Sequence, residues 1–270
     1  MLGGAPFNVA WGLQGFGLRP RLLSAVGADA PGDEIRERMQ AWGMLVDGVQ
    51  VREDLQTGAV EVTVEEGEPS YDIAAPRAWD AIAPADPGQV SLLYHGALAL
   101  RSAGNRRTFS TLCTELSAPR FFDVNLRPPH TPLQRVQEWL PGAAWVKMNL
   151  SELGELSGMP EVTLAGSDAA IDTLRERYGI GTVLLTAGAD GARIRGAYGE
   201  GMLSPAPSPA EMRDAVGAGD AFAAVTVRGL LRGVPAQMLL QQAGAFAAAV
   251  CGLQGATTDD PAFYRLQESF

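Results

Sequence analysis

The stretch AAIDTLRERYGIGTVLLTAG, residues 169–188, places an amphipathic segment (Ala169–Tyr178) directly before a continuous apolar run (Gly181–Gly188). Apolar residues at helical spacing among charges give the first segment one face to bury, while an uninterrupted apolar run suits a strand covered on both sides. The same order recurs upstream. VSLLYHGAL (Val90–Leu98), RFFDVNLR (Arg120–Arg127) and AAWVKMN (Ala143–Asn149) read as buried strands, and Asp33–Trp42 carries Ile35, Met39 and Trp42 at helical spacing. Buried strands alternating with amphipathic helices predict an α/β fold, a doubly wound and mainly parallel sheet with helices on both faces.

One segment breaks the rhythm. In TGAVEVTVEEGEPSYDI (Thr57–Ile73), Val60, Val62 and Val64 alternate with Glu61, Thr63 and Glu65 before a turn at Glu66-Gly67. Strict alternation gives one buried and one wetted face, as in an antiparallel hairpin outside the central sheet. It reads either as a lid or as an edge hairpin with no further role. The chain is accordingly read as one domain, residues 1–270, with a β-lid element at about 57–75.

The balance of 21 Lys and Arg against 31 Asp and Glu gives a net charge of −10. Such a field repels phosphate backbones and anionic membranes, so neither nucleic acid nor a membrane is expected as a partner. A small anionic substrate is still admissible where backbone amides and one cation converge on it. Cys113 and Cys251 stand far apart, with no second ligand at metal spacing, and read as free core thiols. No secretory leader pattern and no apolar run of membrane-spanning length occurs, and the expected location is the cytoplasm. His95 and His130 give little material for a histidine-centred mechanism.

Four clusters fall where strands or loops give way to helices, the ligand-binding edge of a doubly wound sheet. LGGAPFNVA (Leu2–Ala10) offers the amides of Gly3 and Gly4 and the side chain of Asn8 to a polyhydroxylated ligand, or is simply a capped glycine turn. NLSE (Asn149–Glu152) puts Asn149 and Glu152 on one face of a first helical turn, where the pair can hold a hydrated Mg²⁺ or form a capping box. TAGADGA delivers Thr186, Gly188 and Gly191 into a loop able to wrap a phosphate. Finally, RDAVGAGDAF (Arg213–Phe222) reads as a loop entering a helix. An anion on the amides of Ala218, Gly219 and Asp220 would lie beside a carboxylate able to take a proton from an attacking hydroxyl. The bland alternative is a tight turn at Gly217 and Gly219 with Asp220 as the cap.

Taken together, GGAPFNVA, VGADAPG, DVNLR, NLSE, TAGADGA and DAVGAGDAF, in this order from Gly3 to about Gly255, resemble the ribokinase-like (PfkB) carbohydrate kinases. GGAPFNVA, SYDI and DVNLR are most similar to the bacterial fructokinase branch. The resemblance implies transfer of the γ-phosphate of Mg-ATP to a sugar hydroxyl, with Asp220 as base and Gly217, Ala218 and Gly219 as anion hole. It further implies ATP at Asn149, Thr186, Gly188, Gly191 and Gly219, and Mg²⁺ held through water by Glu152 with Asn149. Gly3, Gly4, Asn8 and Arg127 would bind the acceptor. Fructose is the expected acceptor, with 2-keto-3-deoxygluconate or a nucleoside as alternatives within the family. A monovalent cation and a homodimer are both compatible with that reading. Two features depart from the family pattern: Ala215 stands where many relatives have Thr, and the strand and sugar-binding Asp that usually precede the Gly pair are not found before Gly3. The second departure implies either a start upstream of Met1 or an incomplete sugar site, and with it a catalytically impaired nucleotide- or sugar-binding protein as the competing reading.

Overall fold

The computed structural model describes residues 2–65 and 68–266, so the Glu66-Gly67 turn of the expected hairpin lies outside the described residues. In chain order the first elements are α1 (Ala5–Gly15), β1 (Ser24–Gly27), α2 (Ala30–Ala41), β2 (Val49–Arg52), β3 (Val60–Glu65), β4 (Glu68–Ile73), β5 (Leu93–Gly96), α3 (Ala103–Glu115) and β6 (Arg120–Asp123). They are followed by α4 (Leu133–Gln137), β7 (Trp145–Asn149), α5 (Leu150–Ser157), α6 (Asp168–Tyr178), β8 (Thr182–Thr186), β9 (Ala192–Gly196), β10 (Gly199–Leu203), α7 (Ala218–Arg232), α8 (Ala236–Val250) and α9 (Pro261–Leu266). The chain divides into two compact units, one of Met1–Arg19, Val90–Leu98 and Ala118–Phe270, the other of Pro20–Gln89 and Ala99–Ser117.

The first unit is built on a six-stranded sheet in the order β10-β9-β8-β7-β6-β5. β5, β6, β7 and β8 are mutually parallel, as the buried apolar runs predict, whereas β9 pairs antiparallel with both β8 and β10. The antiparallel edge arises because β8 reaches β9 through one 3₁₀ turn at Gly188–Asp190 rather than through a crossover helix. Its residues, ARIRG and GEGML, lack the apolar run of a central strand and escaped the sequence reading. Register carries the parallel strands to a common edge: Gly96 pairs with Asp123, Asp123 with Lys147, and Asn149 with Thr186.

Helices cover both faces of this sheet. On one, Phe122, Val146, Met148, Val183 and Leu185 of the strands pack with Leu153 and Leu156 of α5 and Ile171 and Leu174 of α6. Residues of the opposite parity, among them Phe121, Lys147 and Leu184, point to the other face. There α1 packs on α7, and α7 on α8.

The second unit holds a parallel β1-β2 pair and the β3-β4 hairpin, which runs antiparallel with Val60 opposite Ile73. Asp29 caps α2 by accepting from Gly32 N–H at 3.0 Å and also accepts from the Thr57 amide at 2.8 Å. The end of β4 is tied by Arg101, which donates to the carbonyls of Ile73 and Ala74 and forms a buried ion pair with Asp80 at 2.7 Å.

Phe122 is fully buried within the apolar cluster between the sheet and helices α5 and α6. Phe122→Ala is expected to cost about 3–5 kcal/mol in urea denaturation, from lost transfer energy together with the cavity left behind.

Candidate active site

The site grows from the contact between α1 and α7. A Cβ on Gly12 would lie 3.1 Å from the Ala224 Cβ, so the glycine lets the two helices approach closely. One turn toward the start of each helix stand Asn8 and Asp220, and Asn8 Nδ2 donates to Asp220 Oδ2 at 2.7 Å. Asn8 is thus a mid-helix residue rather than the cap of α1, which is Gly4 at φ 113. Asn8 Oδ1 is buried without a protein partner among the described residues, and a Cβ on Gly3 would lie 3.9 Å from it. An acceptor so placed suits a hydroxyl donor from a bound molecule.

α7 starts at Gly217, which has φ 86 and no room for a side chain, since a Cβ there would lie 2.4 Å from the Ala256 Cβ. Asp220 sits in the first turn and makes no cap bond, so the capping alternative for this residue does not hold. The first bond of the helix runs from Ala221 N–H to Gly217 O at 2.8 Å, and Ala218 N–H reaches back to Ala215 O at 3.3 Å. The amides of Gly219 and Asp220 therefore precede the ladder and are the ones placed to meet an anion, with Ala218 partly committed to the loop. Burial pushes the Asp220 carboxyl up to about 6, against the Asn8 hydrogen bond that lowers it; Asp123 raises it further, and Lys147 and Arg127 lower it.

Beneath α7 lies a buried group that the sequence reading did not single out. Lys147 Nζ meets both carboxylate oxygens of Asp123 at 3.0 Å, and Tyr94 Oη donates to Asp123 Oδ2 at 3.0 Å. A charged residue on each of two runs read as buried strands was the available signal, because buried charges come paired. Arg127, in the loop after β6, donates to its neighbour's carbonyl at Leu126 and lies close enough to act on the Asp220 charge.

Asn149 and Glu152 form the capping box foreseen as the alternative: Asn149 Oδ1 accepts from Glu152 N–H at 2.9 Å, and Glu152 Oε2 accepts from Asn149 N–H at 2.8 Å. Glu152 Oε1 accepts a further bond from Leu126 N–H at 2.7 Å, tying α5 to the loop after β6. With both oxygens engaged, and burial raising its proton affinity, Glu152 suits a water-mediated role toward a cation and not direct ligation. Among the described residues no cluster of acidic, His or Cys side chains could hold a metal by itself. That donor set fits Mg²⁺, which keeps several waters and takes its remaining ligands from substrate phosphates.

Thr186 pairs with Asn149 across β7 and β8, so these two stand side by side at the strand ends. Gly188 has φ 55, and Gly191 has φ 115 with its missing Cβ directed at the Leu203 carbonyl. Gly191 therefore has a structural requirement of its own at the β8–β9 turn. All thirteen residues expected at the site lie in the first unit, and the structure brings Asn8 to Asp220 and Asn149 to both Glu152 and Thr186.

The sequence matches the profile of the pfkB family carbohydrate kinases over residues 1–262. A nucleoside kinase from Methanothermobacter thermautotrophicus is 27% identical over 277 aligned positions, covering 96% of this chain and 81% of the relative. Among solved structures, a fructokinase from Xylella fastidiosa with bound ATP superposes with a TM-score of 0.80 at 21% identity, covering 99% of this chain and 90% of that one. An aminoimidazole riboside kinase from Salmonella enterica, with its riboside and an ATP analogue, gives a TM-score of 0.81 at 24% identity, covering 98% and 91%.

The proton affinity of Asp220 has a consequence for stability. Its folded value of about 6 exceeds the 3.8 of an exposed Asp, so its stabilising contribution is complete below that lower value and is lost as pH rises through about 6. Asp220→Asn is expected to be more stable than wild type by up to about 2 kcal/mol near pH 8 and to lose that advantage near pH 3.5, measured by urea denaturation. An equal gain at both pH values would place its origin elsewhere.

Proposed function

The chain belongs to the pfkB family of carbohydrate kinases, and from that premise we propose that it transfers the γ-phosphate of ATP to a hydroxyl of a sugar or nucleoside, with Asp220 as the general base. The observation that carries this reading is the Asp220 carboxylate itself. It stands half-buried at an amide-lined helix start, raised to about 6, and hydrogen-bonded to Asn8 of the Gly-Gly segment. A base poised near neutrality takes a hydroxyl proton without being idle as the acid.

In this reading the acceptor lies against Gly3, Gly4, Asn8 and Arg127, with a hydroxyl donating to Asp220. As the acceptor oxygen bonds to the γ-phosphorus, its proton passes to the Asp220 carboxylate and the bond to the ADP oxygen breaks. The amides of Gly219 and Asp220 and the positive end of α7 meet the charge on the transferring group, which costs no reorganisation because the helix already holds them. Asn149, Thr186, Gly188 and Gly191 hold the nucleotide at the ends of β7 and β8. Mg²⁺, held through water by Glu152 with Asn149, supplies neutralisation of phosphate charge when bound.

Fructose is the acceptor favoured by GGAPFNVA, SYDI and DVNLR. A nucleoside is the second reading, supported by the 27% identity to a nucleoside kinase along nearly the whole chain.

Purified protein is expected to release ADP only with both an acceptor and Mg²⁺ present, and EDTA should abolish the release. Asp220→Ala should lower kcat at least ~100-fold, the lower range for a positioned base; an unaltered kcat would remove the base assignment. In a coupled assay across fructose, ribose, 2-keto-3-deoxygluconate and adenosine, fructose is expected to give the highest kcat/KM. A clear preference for adenosine would establish the nucleoside reading instead.

A further inference from the structure

Asp123 and Lys147 occupy paired positions on β6 and β7 with side chains only 3% and 8% exposed, yet an ion pair is an expensive way to fill such a space. Two apolar residues of similar volume often serve a core as well or better. The location of the pair gives it another use. A Cβ on Gly219 would come within 3.7 Å of Lys147 Nζ, which places the ammonium under the first turn of α7, beside the residue that precedes Asp220. Lys147 feels the charges of Asp123, Asp220 and Glu152.

The groups acting on Asp220 come from several elements. Lys147 of β7 and Arg127 of the loop after β6 are positive, Asp123 of β6 is negative, and Asn8 of α1 donates a hydrogen bond. Tyr94 of β5 also senses the Asp220 charge and spends its hydroxyl proton on Asp123. The Lys147 ammonium has three carboxylates within its field, Asp123, Asp220 and Glu152, and is bound to the first. A direct pair with Asp220 would make that carboxylate a weaker base and occupy the lone pair that receives the acceptor's proton.

We propose that Asp123, backed by Tyr94, is a positioning residue that holds the Lys147 ammonium off Asp220 and so keeps Asp220 free to take a proton. The proposal rests on the assignment of Asp220 as the base. Asp123 does not touch the reacting atoms and acts through the place it gives to one charge.

Three variants test it: Asp123→Asn, which frees the ammonium; the double variant Asp123→Asn with Lys147→Met, which removes it; and Tyr94→Phe, which loosens Asp123 without creating an unpaired charge. The direct readout is the titration midpoint of the Asp220 carboxyl by ¹³C NMR of Asp-labelled protein, its resonance identified with Asp220→Asn. In Asp123→Asn the midpoint is expected to fall by about one to three units, the effect of a close opposite charge. In the double variant it should return to within about half a unit of wild type, and in Tyr94→Phe it should fall by less. The acid limb of the kcat profile should move in step, with kcat in Asp123→Asn reduced about tenfold or more and largely restored in the double variant. An Asp220 midpoint that does not move in folded Asp123→Asn overturns the proposal; should that variant fail to fold, an unmoved midpoint in Tyr94→Phe overturns it. Because the titration needs no turnover, shifted midpoints in a protein that phosphorylates no acceptor would sustain the positioning role while refuting the kinase chemistry.

Discussion

Asn8 and Asp220 stand 212 positions apart, and the 2.7 Å bond between them is the point from which the rest of the site is laid out. It exists because α1 and α7 approach closely at Gly12 and Ala224, and because Gly217 lets α7 begin where any side chain would collide with Ala256. Small residues at both places cost the core little apolar area. In return they bring a helix start, with its unpaired amides and positive dipole end, against the segment that carries Gly3 and Gly4.

The parallel strands supply the second constraint. Their register carries Asp123, Lys147, Asn149 and Thr186 to one edge of the sheet, so charge and polarity gather where the strands end and apolar packing holds elsewhere. The apolar cluster packed under α5 and α6 lies on one face, with His95 stacked on Phe122, and the ion pair of Asp123 and Lys147 lies on the other. Glu152 links the two sides. Its carboxylate closes the start of α5 and fixes the loop after β6, from which Arg127 extends.

Several residues here have more than one cause. Gly191 is required by the approach of the Leu203 carbonyl, whatever lies in the loop, and Glu152 is required by two backbone amides, whatever cation lies near it. For Glu152 the capping box that spacing alone offers is present in the fold. Asp220 differs, since it caps nothing and its burial raises its proton affinity at a cost in stability that no packing need explains.

The α/β architecture was legible in the order of residues, because the parallel strands bury both faces and so write themselves as apolar runs such as Thr182–Thr186. Local pattern also marked the four clusters at strand and loop ends, whereas Arg127 entered only through the resemblance of DVNLR to the family. The antiparallel β9-β10 edge was not legible, since an edge hairpin with charges on its strands has neither period nor run to betray it. Packing was needed to show that Asn8 belongs to Asp220, that Ala218's amide is partly committed to Ala215, and that Asp123, Lys147 and Tyr94 form one hydrogen-bonded group under α7. Local pattern reports the face a residue must bury, whereas partnership between charges on different strands is fixed by register and helix approach, which arise only when distant segments pack together.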